Sequence, residues 1–186
     1  MKKSETKTII LQKAGKLLSQ KGYFGVSMQD IANEVGITKA ALYYHFESKD
    51  ALVEILLRDA VSELKSELKL TVNASILPSD MVFNITKTLL NFKLGHPEIS
   101  LLVSLGVQND ERVPMLELAT ELRQELIKSI LLMIKGLDFV RTSTYSVLFT
   151  LATSIISITL SPFYLMHGKN TKQTAKDLTE LLTQKV

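Results

Sequence analysis

Apolar residues recur at helical spacing through most of the chain, and the clearest case is SMQDIANEVGITKAALYYHF, Ser27 to Phe46. Ile31, Ala32 and Val35 fall on one face of a short helix, with Gln29, Asn33 and Glu34 on the other. Ser27 is a cap for that helix, and Asp30 three residues later completes a capping box. Gly36 follows the last apolar position, where a left-handed residue ends a helix without a Cβ penalty. Thr38 then caps a second helix whose inward stripe is Leu42 and Phe46. Two short helices joined by Gly36-Ile37-Thr38 make the outline of a helix-turn-helix.

The segments on either side carry the same period. Ile9, Ile10, Ala14, Leu17 and Leu18 predict a first helix from Thr6 to about Lys21, ended by Gly22, with Tyr23 and Phe24 as core of the following turn. Ser48 caps a longer helix through Leu52, Ile55, Leu56 and Leu64 to about Leu70, after which the chain loosens from Thr71. Pro78-Ser79-Asp80 opens another, stopped by Gly95-His96-Pro97. Pro97-Glu98 suits the first turn of a short buried helix ending near Gly106, and Pro114 starts one that runs to Gly136 with Met115, Leu118, Leu122, Leu126 and Ile130 on one face. The fold class is all-α, with about nine helices in total once two more are placed in the last third of the chain.

The outward face of the second short helix carries the candidate chemistry. Lys39 is placed to donate to guanine O6 and N7, and the methyl of Ala40 or Ala41 to meet a thymine methyl. Tyr43, Tyr44, His45 and Lys49 are donors for phosphate oxygens, which position a protein on DNA without reading sequence. With the two caps, Ser27 and Thr38, these complete the candidate DNA-binding set.

The order Ser27, Ile31-Ala32, Gly36-Ile37-Thr38, Leu42-Tyr43, His45-Phe46, Lys49 and Leu52 resembles the TetR family signature, and the likeness continues upstream through Ile10, Ala14, Leu18 and Gly22-Tyr23. It covers about the first sixty residues; beyond them only a helical layout is shared. What the resemblance implies is a homodimeric, ligand-responsive transcriptional regulator, most often a repressor, acting on a palindromic double-stranded DNA operator. It implies a helix-turn-helix head over residues 1–47 and an effector-binding and dimerisation body over 48–186. In the family the helix after the head sets the spacing of the two recognition helices, and the last two helices pack against their copies. Ala40-Ala41 departs from the bulkier residues many members carry there, so no base preference transfers.

Charge supports the division. All of the +3 net charge falls in residues 1–58, and the remainder is balanced. Lys2, Lys3, Lys7, Lys13, Lys16 and Lys21 against Glu5 make the leading segment the most basic, which favours a polyanion. Cysteine is absent, which excludes disulfides and thiolate chemistry and fits a cytoplasmic setting, and no signal peptide is evident at the first residues.

Residues 142–168 hold no Asp, Glu, Lys or Arg, yet Ser146, Thr150, Thr153, Ser154, Ser157, Thr159, Ser161 and Pro162 recur through them, so a helix buried in protein is favoured over a membrane span. No enzyme site assembles: His45, His96 and His167 lack metal-ligand spacing, and no glycine-rich phosphate loop is visible. No cofactor is expected. An apolar pocket for a small apolar or amphipathic effector is placed among Phe83, Phe92, Met115, Met133, Tyr145 and Phe149, each of which also reads as plain core. Two other readings stay open from the residues alone. One is a noncatalytic helical adaptor whose helix-turn-helix serves packing or protein contacts, and the other is a membrane-attached helical protein.

Overall fold

The computed structural model describes residues 3–74, 78–101 and 114–135, with side chains left aside at the segment edges. Among the described residues there are six α-helices, one short 3₁₀ turn and no strand: α1 (Lys3–Lys21), α2 (Met28–Val35), α3 (Lys39–His45), α4 (Lys49–Ala74), α5 (Pro78–Gly95), the turn Pro97–Ser100, and α6 (Pro114–Lys135). The two helices expected in the last third of the chain, the uncharged run 142–168 and the body residues Tyr145 and Phe149 lie outside the described residues.

The local signals are realised atom by atom. Ser27 Oγ accepts from the Asp30 amide at 3.1 Å while the Ser27 amide donates to Asp30 Oδ2 at 2.8 Å, so the capping box closes from both sides. Gly36 takes φ 84°, and its N–H reaches the Ala32 and Asn33 carbonyls, which ends α2. Thr38 Oγ1 accepts from the Ala41 amide at 3.1 Å and Ser48 Oγ from the Ala51 amide at 3.0 Å, starting α3 and α4.

The detail departs from expectation in places. α4 runs on to Ala74, because Val72 is buried and the Thr71 hydroxyl folds back onto the Glu67 carbonyl instead of breaking the helix. Pro97–Ser100 forms a 3₁₀ turn, tightened by the Ser100 hydroxyl donating to the Pro97 carbonyl at 2.7 Å, and beyond Leu101 the short buried helix expected to end near Gly106 lies outside the described residues. Phe24 is 55% exposed, stacking edge-on against Tyr23 instead of entering the core.

One continuous core joins all six helices, from Ile10, Ala14 and Leu18 through Ile31, Leu42 and Phe46 to Leu52, Leu64, Leu89, Leu122 and Leu126. α4 is its axis. Leu52, Leu56, Ala60, Leu64, Leu68 and Val72 form one buried row, and Val53, Leu57 and Val61 form a second that stops halfway, so the first half of α4 is covered on a wider face. α5 and α6 both lie along α4, with Arg58 3.5 Å from Glu121 and Lys65 2.6 Å from Glu125 at the exposed edge of the α4–α6 contact.

α1 packs on α2, on α4 and on the 3₁₀ turn. That last contact is close because Gly15 lacks a side chain: a methyl there would lie 3.1 Å from Glu98 Oε2. Glu98 is buried and its other oxygen is 3.2 Å from His96 Nδ1. His96 in turn stacks on Phe92 at 4.1 Å and faces Glu63 of α4 at 3.6 Å.

Candidate nucleic-acid interface

α3 is held from beneath and left open above. Leu42 is fully buried and Phe46 nearly so, fixing the helix against the rest of the head. Lys39 and Ala40, at its start, are exposed, and Ala41 is half-buried. One turn on, Tyr43 and Tyr44 are 45% and 69% exposed, more than an aromatic side chain ordinarily leaves to water. Lys39 Nζ sits 5.9 Å from the Tyr43 ring centroid, and Tyr44 meets the half-buried His45 edge to face at 5.4 Å. The arrangement gathers a cation, a methyl and two phenols on one exposed ridge, with the half-buried Ala41 and His45 at its flank and donors for both base edges and phosphates.

The two caps serve the fold first. The Ser27 hydroxyl donates to Asp30 Oδ2 at 2.5 Å, and with the Ser27 amide donating to the same oxygen it holds the Asp30 carboxyl below its ordinary pKa. Thr38 lends its oxygen to α3.

Lys49 is placed differently from the outward donor expected of it. Its ammonium turns inward, donating to the main-chain carbonyls of Tyr23 and Val26, each at 2.9 Å, and lying 4.0 Å from the Tyr23 ring centroid. Partial burial lowers its pKa, with Asp50 acting the other way. The neighbouring Asp50 accepts from the Tyr23 hydroxyl, and burial together with that carboxylate pushes the phenol well above its ordinary range.

Sequence reasoning missed two other contributors. Lys13 Nζ donates to the Glu34 carbonyl at 2.9 Å, closing the C-terminal end of α2 from α1, and Gln29 donates to Asn33 at 2.9 Å along the exposed side of α2. The second has a signal in the i,i+4 spacing; the first, across 21 residues, has none.

Of the body residues placed at an effector pocket, Phe92 and Met115 are part of the continuous core and Phe83 is half-buried outside it. Met133 lies in α6, in the part whose side chains are not described. Beside Phe92 is Lys93, 2% exposed, whose burial lowers its pKa to about 8. No helix among the described residues is long and apolar enough to cross a membrane.

Residues 10–56 match the family model described as bacterial regulatory proteins, tetR family, a span that holds the whole of α2 and α3 with most of α1 and the start of α4. Over that segment the chain is similar to the tetR family.

The likeness to individual relatives covers part of the chain. The chain is 36% identical over 74 residues to IcaR of Staphylococcus aureus, the negative transcriptional regulator of the biofilm operon icaADBC, and the match covers 40% of this chain and 40% of that protein. The alignment therefore spans two fifths of the relative's length. The fold likeness reaches further. A transcriptional regulator from Aquifex aeolicus superposes with a TM-score of 0.75 over 97% of this chain and 99% of that one at 18% identity. AibR, solved with isovaleryl coenzyme A and operator DNA, gives a TM-score of 0.69 over 95% and 97% at 17% identity.

Proposed function

We propose that the protein is a sequence-specific, noncatalytic DNA-binding transcriptional regulator, a ligand-responsive repressor acting as a homodimer in the cytoplasm on a palindromic operator. The observation that carries this reading is α3: a helix fixed by Leu42, Phe46 and the Thr38 cap, with Lys39, Ala40, Tyr43 and Tyr44 left to solvent. The negative transcriptional regulator IcaR, 36% identical over 74 residues, supports the regulatory direction. In this reading residues 1–47 are the DNA-binding head and 48–186 the effector-binding and dimerisation body, joined by α4. Lys39, Ala40 and Ala41 read base edges, while Tyr43, Tyr44 and His45 meet phosphates, with Ser27 and Thr38 at the two helix starts beside them. AibR binds isovaleryl coenzyme A, an amphipathic molecule, which supports an apolar or amphipathic effector for the apolar body of this chain.

Selection from a random duplex library tests it. The expected result is an enriched palindrome with half-sites about one helical turn apart, as a twofold dimer requires. On that site Lys39→Ala should cost about 1–3 kcal/mol and relax the preference at one position of each half-site. A library that returns no enriched sequence leaves the helical adaptor as the better account.

A further inference from the structure

The first turn of α4 is tied to the turn between α1 and α2 by one cluster. Lys49 Nζ donates to the carbonyls of Tyr23 and Val26, three residues apart, and packs over the Tyr23 ring, while the Tyr23 hydroxyl donates to Asp50. Tyr23 and Val26 are 9% and 2% exposed, so the cluster stands on buried backbone and not on a mobile loop tip. Two charge-assisted hydrogen bonds direct two of the three ammonium protons into the protein. To reach a phosphate, Lys49 would have to leave both carbonyls.

We propose that Lys49, with Tyr23 and Asp50, is a positioning residue that sets the angle at which α4 leaves the head, and that it acts on DNA binding through that angle instead of through phosphate contact. The inference rests on the DNA-binding reading. Its leverage comes from length: α4 has 26 residues. At about 1.5 Å per residue this is about 39 Å, so a tilt of about 5° at the first turn moves the far end by about 3 Å. In a dimer docked on two half-sites, such a tilt misplaces both recognition helices at once.

The test measures duplex binding against salt for the wild type, Lys49→Met, Tyr23→Phe and the double variant. A phosphate ligand lost in Lys49→Met lowers the slope of log affinity against log salt by about one and leaves Tyr23→Phe without effect. The positioning role predicts an unchanged slope, a loss of about tenfold in each single variant, and a double variant no worse than about the weaker single one, since both cut the same tie. Tyr23→Phe removes one hydroxyl and keeps the ring, so it reads the cluster even if Lys49→Met folds poorly.

A second readout needs no DNA. The chain has no cysteine, so spin labels at Glu34→Cys and Glu67→Cys, diluted into unlabelled chain, report the head-to-α4 distance directly. Both residues are exposed. A broadened or shifted distance distribution in Lys49→Met and Tyr23→Phe supports the tie, and unchanged distributions overturn it. Wild-type protein that binds no duplex at any salt sinks the DNA-binding reading itself, a result seen before any variant is compared.

Discussion

The head and the body hold themselves together by different means. In the head, helix ends are closed by near neighbours: Ser27 with Asp30, Thr38 with Ala41, Gly36 with Ala32, and Ser48 with Ala51 at the entry to α4. In the body, α4 meets α6 through apolar rows and through pairs such as Arg58–Glu121 and Lys65–Glu125, about sixty residues apart in the chain. Caps and turns demand particular residue types at particular spacings, whereas an apolar face is satisfied by many combinations of similar volume. That difference accounts for a family match confined to residues 10–56 beside a fold likeness that runs almost the whole chain at under 20% identity.

The largest expected effect tests whether the two regions are thermodynamically separate. Leu42→Ala, at a fully buried head position, should cost about 2–5 kcal/mol. Because the core is continuous from Ile10 to Leu131, urea unfolding followed by both circular dichroism and tyrosine fluorescence should shift as one transition. Two transitions, with only the first displaced, would mean that the head folds apart from the body.

Next comes a cost that belongs to the body. Lys93 is buried and its pKa falls to about 8 from 10.5, so between those values the unfolded chain binds more protons than the folded one. The burden of burying the charge is therefore present in full below about pH 8 and fades as the pH rises toward 10. Relative to Lys93→Met, wild-type stability should climb by up to about 3 kcal/mol over that window. Parallel stability curves for the two proteins would show that the ammonium is already matched by its surroundings. Above pH 10 the raised Tyr23 phenol works in the opposite sense, since the folded chain then keeps a proton that the unfolded one loses.

The smallest effects set the two regions side by side. Ser27→Ala removes a cap and should cost about 1 kcal/mol. Lys65→Ala breaks an exposed pair and should cost a few tenths, about 0–1 kcal/mol, shrinking further in high salt. Chemical denaturation of both variants at two salt concentrations measures the contrast, and a larger loss for Lys65 would reverse the assignment of local bonds to the head and diffuse packing to the body.

Legibility follows the same line. The capping box, Gly36, the Thr38 and Ser48 caps, and the buried faces of α2, α3 and α6 were readable because each is written within a few positions. Thr71 misled as a helix end because its hydroxyl can satisfy a carbonyl one turn back as easily as it can interrupt the helix. Lys49 misled for a different reason: a lysine after a recognition helix resembles a phosphate ligand, and the carbonyls it meets belong to residues 23 and 26 positions earlier, with no pattern in the sequence to announce them. Tyr23 was read as core and is core, but the reach of its hydroxyl to Asp50 across 27 residues was equally invisible.

Gly15 gives the α1 seam an unusual mutational character. Within a helix, alanine ordinarily gains about 1 kcal/mol over glycine, and one base change in a glycine codon is enough to make it. At this position the added methyl would press on a carboxylate 3.1 Å away, and that carboxylate is braced by His96, which leans on both Phe92 and α4. The smallest heritable change available in α1 would thus improve its own helix while displacing the turn that joins it to the body. A screen for variants with altered regulation and intact folding has its shortest path there, at a residue that bears no functional group.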